Sequence, residues 1–179
     1  MRILTEECAR ELVKGKNLEN FISDLSNQLQ PVGGTYSTPD NSGRQIALSR
    51  LVAYLLIRRA PICLYITAWS VWTENLDLFY GYRNSLGEKR LLMEAPVHVF
   101  EQADEDAFVS LLCMVFFFFW DAWIFDFAGE YLVRLSHDGW FEVRAREEGP
   151  FKEIVAELQK YEVSLLENSG KRNARADGT

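Results

Sequence analysis

The stretch Phe116–Ala145, FFFFWDAWIFDFAGEYLVRLSHDGWFEVRA, decides the fold. Its last run, Trp140–Ala145 (WFEVRA), alternates Phe141, Val143 and Ala145 with Trp140, Glu142 and Arg144. Side chains along a strand point to opposite faces in turn, so this pattern marks a strand with one buried face. Trp120–Phe127 (WDAWIFDF) and Tyr131–Ser136 (YLVRLS) are rich in the aromatic and branched residues that suit a pleated surface. Ala128-Gly129-Glu130 and His137-Asp138-Gly139 are short connections, and the second carries the Asp-Gly turn signal. These features predict a three-stranded antiparallel meander.

The residues before the meander predict a helix. Asp104, Glu105 and Asp106 form an acidic first turn, which the helix dipole favours. Phe108, Leu111, Leu112, Val115, Phe116 and Phe119 then recur at helical spacing. Val109, Cys113 and Phe117 make the opposite face apolar too, so that face is expected to meet core or a partner, including a second copy in a homodimer. The apolar run Ala107–Trp120 is closed by Asp121 and is shorter than the roughly 20 residues of a membrane span, so no membrane role is expected.

Further elements are read outward from this segment. Ile62–Trp69 (ICLYITAW) predicts a buried strand, and Arg44–Arg59 a helix with Leu48, Leu51, Val52 and Leu55 on one face. Leu91–Phe100 is expected to be extended, because Pro96 forbids a regular helix. Thr73–Asn84 reads equally as helix or strand. Thr5 and Asn17 are candidate caps for two short N-terminal helices. Pro31, Gly33, Gly34, Pro39 and Gly43 predict a loop. The expected organisation is an N-terminal helical segment (1–30), a loop or linker (31–43), an α+β core (44–167) and a disordered polar tail (168–179). Within the core, Pro150 is expected to open a last helix carrying Ile154, Leu158 and Leu165 on one stripe. The fold class is α+β, with a mostly antiparallel sheet packed against several helices.

Composition narrows the function. The 179 residues are 48% hydrophobic, enough apolar area for a sizeable core. The net charge of -7 repels nucleic acid backbones and suits a basic protein partner. Cys8, Cys63 and Cys113 form no CxxC and predict reduced, buried thiols in a cytoplasmic protein. Met1–Arg10 is amphipathic and holds Glu6 and Glu7, so no signal peptide is expected. Two histidines and three scattered cysteines offer no metal-ligand spacing, no phosphate-binding glycine motif is present, and no cofactor is expected.

Two sets of residues are candidates for function. Trp123, Trp140, Tyr80 and Tyr82, mixed with Asp126, Asp138 and Glu142, would make an acidic-aromatic surface, since Trp and Tyr offer large contact area with a polar handle. The competing possibility is an acid/base site of His137 with Asp138, Asp121 or Asp126. Asp121 and Asp126 lie five apart on one strand and so on opposite faces, which separates them, and either could pair with Arg134 across the meander.

The helix-then-meander segment Phe116–Ala145, with the small size, acidic balance and missing catalytic motif, resembles the small acidic immunity proteins of bacterial toxin systems. The resemblance implies a non-enzymatic protein that binds and blocks a cognate toxin inside the producing cell. The chain is longer than barstar and lacks the pattern of the Smi1-type group, so no site residues carry over.

Overall fold

The structure is a computed structural model that describes residues 1–69 and 73–146 and, singly, Lys152, Val155, Ala156, Leu158, Lys160 and Val163. Its strands are β1 (Arg2–Leu4), β2 (Gln30–Ser37), β3 (Ile62–Ala68), β4 (Val97–Phe100), β5 (Asp121–Asp126), β6 (Tyr131–Ser136) and β7 (Trp140–Ala145). The helices are α1 (Glu6–Leu12), α2 (Leu18–Gln28), α3 (Ser42–Ile57), α4 (Thr73–Ser85) and α5 (Glu105–Phe117). The strands form one antiparallel sheet in the order β1-β4-β3-β5-β6-β7-β2, so the fold is α+β and contains the meander β5–β6–β7. Among the described residues, no helix is long and apolar enough to cross a membrane.

Helix α5 ends where the apolar run divides. Phe119 takes a positive φ of 50°, and Trp120 N–H closes the last turn by donating to the Val115 carbonyl at 3.0 Å. A left-handed residue just past a helix redirects the chain, here into β5. The caps expected at the N-terminus are present: Thr5 Oγ1 accepts from Cys8 N–H at 3.1 Å, and Asn17 Oδ1 from Asn20 N–H at 2.7 Å.

Both sheet faces carry apolar residues. On one face Ile62, Leu64, Ile66, Ala122, Ile124, Val133 and Phe141 pack with Leu48, Val52 and Leu56 of α3 and Phe108, Leu111, Leu112 and Val115 of α5. On the other, Cys63, Tyr65, Val97, Val99, Phe125 and Leu132 pack with Ala9 of α1 and Leu18, Ile22 and Leu25 of α2. On α5, Val109, Cys113 and Phe117 are only partly buried.

Four expectations need correction. The loop or linker over 31–43 is largely strand β2, which pairs with β7 at the sheet edge. An edge strand tolerates Pro31, whose missing N–H leaves no central ladder broken, and a register shift between Pro31 and Thr35 takes up Gly33 and Gly34. Leu91–Ala95 is turn rather than strand, because the Leu91 carbonyl accepts from Glu94 and Ala95 N–H. Met1–Gln30 is not only helical, since β1 pairs with β4. Cys8 is exposed, whereas Cys63 is buried and Cys113 half-buried; all three are free. Thr73–Ser85 resolves as helix. The helix expected after Pro150 and the tail 168–179 lie outside the described residues, although Leu158 and Val163 are buried in the core.

Phe125 is fully buried and meets Phe21 of α2 at a ring separation of 5.4 Å, whereas Trp123, two residues earlier on the same face, is half-buried. Phe125→Ala is therefore expected to cost about 3–5 kcal/mol by cavity formation. Trp123→Ala is expected to cost markedly less, about 1–2 kcal/mol for partial burial. Urea denaturation of the two variants reads the difference.

Candidate functional site

Alternation places Asp121, Trp123 and Phe125 of β5 on the same face as α1 and α2. On that face the register aligns Tyr65, Trp123, Arg134, Glu142 and Thr35 in one row across β3, β5, β6, β7 and β2. Helix α2 covers Phe125, Leu132 and, at the β3 end of this row, Tyr65, but leaves Trp123 and Glu142 half-buried and Arg134 exposed. Its edge is held by Arg144, whose Nη1 donates to the Ser26 carbonyl at 2.8 Å. Between α2 and the strands runs a groove of about 370 Å³ lined by Glu19, Ser23, Tyr65, Thr67 and Trp123.

The centre of the open half-face is a stacked triplet. The Arg134 guanidinium carbon lies 5.2 Å from the Trp123 ring centroid and 4.9 Å from that of Trp140. Each contact of this kind contributes about 0.5–1 kcal/mol at an exposed site. Glu142, opposite Arg134 in the ladder, directs its carboxylate to Arg144 Nη2 at 2.9 Å. The tryptophans are half-buried and Arg134 is exposed, so the triplet presents large flat surfaces already fixed in place.

Asp121 and the β6–β7 turn form the rim. Asp121 Oδ1 accepts from His137 N–H and Oδ2 lies 2.8 Å from His137 Nδ1. The other ring nitrogen, Nε2, is 3.4 Å from Asp138 Oδ1. The hydrogen bond and charge of Asp121, followed by the charge of Asp138, raise the His137 pKa above its ordinary value of 6.5. Both nitrogens face carboxylates, an arrangement that favours the protonated ring and suits a fixed ion cluster better than a general base. The His137 side chain is also 63% exposed and stands on a turn, not in a cleft. Among the described residues, no group of acidic, histidine or cysteine side chains is placed to hold a metal.

The remaining candidates lie elsewhere. Asp126 is buried at the opposite end of β5, where Oδ1 accepts from Glu130 N–H at 2.8 Å and Tyr131 N–H at 3.2 Å. Burial raises its pKa while those two bonds lower it, and its role is to close the β5–β6 turn, not to bind a partner or act as a catalyst. Tyr80 and Tyr82 belong to α4. Tyr80 hydroxyl accepts from Leu92 N–H at 3.1 Å and Tyr82 hydroxyl donates to the Ala107 carbonyl at 3.2 Å, so both serve packing. The expected pairing of Arg134 with Asp121 or Asp126 is replaced by stacking on tryptophan, and the acidic-aromatic surface has an arginine at its centre.

Sequence reasoning missed the triplet because it gave Arg134 a carboxylate partner, Asp121 or Asp126, across the meander. The connection His137-Asp138-Gly139 itself stands as read. The observed connection has three residues: Ser136 pairs with Trp140, and Gly139 takes φ 77°. Three-residue hairpin loops ending in a left-handed glycine are common.

The two histidines are expected to titrate in opposite directions. His137 stabilises the fold fully below pH 6.5, and that contribution is lost as pH rises through its raised value. His98 is buried, and desolvation followed by the charge of Arg83 lowers its pKa to about 3. The unfolded chain therefore protonates His98 first, and stability falls as pH drops from about 6.5 toward 3. An NMR titration of the ring protons checks both directions, and Asp121→Asn is expected to return His137 toward its ordinary value while leaving His98 unmoved.

Compared with known proteins, the chain matches no family model, no curated protein and no solved structure.

Proposed function

We propose that this chain is a non-enzymatic protein-binding protein, of the toxin-neutralising immunity type, that docks a basic protein through the open half-face of its sheet. The observation that carries this reading is the Trp123–Arg134–Trp140 triplet. Tryptophan and arginine dominate the energetics of protein interfaces, and anchors that are fixed before binding lose little side-chain entropy on docking. The groove beside Trp123 offers a recess for a partner side chain.

Charge supports the choice of partner. The chain carries a net -7, and Asp121 and Asp138 stand at the rim of the face. Such a field speeds encounter with a cationic surface and is weakened by salt. The triplet would then supply the desolvated centre, with the carboxylates setting approach and register.

The test is binding to the secreted toxin encoded beside this protein's gene, read by calorimetry and by rescue of growth. The double variant Trp123→Ala/Trp140→Ala is expected to weaken binding by roughly 100-fold or more, as loss of two anchors does. Raising salt is expected to slow association with little change in dissociation. Undiminished affinity in the folded double variant, or no binding to the neighbouring gene product, would overturn the proposal.

A further inference from the structure

On the opposite side of the sheet, three polar side chains surround the ring of Phe79. The Arg83 guanidinium carbon lies 5.3 Å from its centroid, the His98 ring 5.9 Å and the Trp120 ring 5.2 Å. All four residues are buried to within 1% of complete exclusion from solvent. They come from α4, β4 and the junction of α5 with β5.

The donors of this cluster are not matched by acceptors. Arg83 Nη1 donates to the Ala95 carbonyl at 3.0 Å, but Nε and Nη2 have no partner among the described residues, nor does Trp120 Nε1. Buried donors in native proteins are almost always paired. The nearby carboxylate whose charge Arg83 feels, Glu88, is taken by Arg90: it accepts from Arg90 Nε at 2.9 Å and from Arg90 N–H at 2.8 Å.

The free atoms of Arg83 have a particular geometry. Nε–H and Nη2–H lie side by side on one edge of the planar guanidinium and point in parallel, the fork that grips a carboxylate through two bonds. We propose that Arg83, with Trp120 Nε1 as a neighbouring donor, forms a buried site for the carboxylate group of a small monocarboxylic acid. One negative charge balances the single positive charge of Arg83, because His98 stays neutral in this setting. A dianion would leave a net charge in an apolar enclosure, which is strongly disfavoured. The rings of Phe79 and Trp120 provide an apolar flank for a short hydrocarbon group. This site is separate from the Trp123–Arg134–Trp140 face and independent of any partner bound there.

The probes are formate, acetate and propionate, each compared with chloride and phosphate at matched ionic strength. Near ten times the dissociation constant, a bound carboxylate is expected to raise Tm by roughly 3–6 °C. Arg83→Lys, which keeps the charge but loses the fork, is expected to abolish the carboxylate-specific rise. In case that variant does not fold, NMR of the unaltered protein follows the Arg83 Nε–H and Trp120 Nε1–H resonances, which are expected to shift and saturate together with acetate. Equal stabilisation by chloride, or no saturable shift of either resonance with any of the three acids, would overturn the site and leave buried water as the partner of these donors.

Discussion

Among the described residues strand β5 is the fourth of seven strands, so it lies in the interior of the sheet and neither of its faces can be left to water at low cost. The rest of the structure answers that constraint. Ala122 and Ile124 face α3 and α5, which cover their side completely. Phe125 faces α2, but helices α1 and α2 leave Trp123 and Trp140 half-buried and Arg134 exposed on that side. What remains uncovered begins at Trp123, where the chain places aromatic rings and long charged side chains in place of aliphatic ones. An amphipathic ring or an arginine stem tolerates partial exposure that a leucine cluster would not. The open half-face is thus a consequence of unequal helix cover.

The same sheet holds two pairs of similar groups in opposite states. Arg134 is exposed and stacked between indoles, while Arg83 is buried with one edge of its guanidinium free. His137 stands in solvent between two carboxylates, while His98 lies in the core beside a cation. In each pair the environment decides the chemistry. Solvent screens the exposed groups and leaves them available to a partner, whereas exclusion of water makes every unmatched donor of the buried groups a demand for an acceptor. The first condition suits recognition of a surface, and the second suits capture of a small anion.

The sequence made some of this readable. Alternation in WFEVRA, the apolar spacing of α5 and the Asp-Gly turn located the meander and its helix, because those signals are local. Strand β2 was hidden because glycine and proline signal loops, and only its pairing with β7 shows that an edge position absorbs them. The triplet was hidden because Trp123, Arg134 and Trp140 come from three strands, and residue type alone favoured a carboxylate as the partner of Arg134. Asp126 and Tyr82 looked like surface groups by residue type, yet Asp126 is committed to N–H groups of its own turn and Tyr82 to a carbonyl of α5. The Arg83 cluster had no sequence signal at all, since residues 83, 98 and 120 meet only through the packing of α4 over the sheet.

Hydroxyl-radical footprinting of the free protein, read residue by residue by mass spectrometry, tests the unequal cover of the sheet most directly. Trp120 and Trp123 are three positions apart in sequence, but Trp120 is 1% exposed and faces α4, whereas Trp123 lies on the open half-face with Trp140. The expected result is rapid oxidation of Trp123 and Trp140 with Trp120 and Phe125 protected. Oxidation of Trp120 at the same rate, or protection of both Trp123 and Trp140, would contradict it.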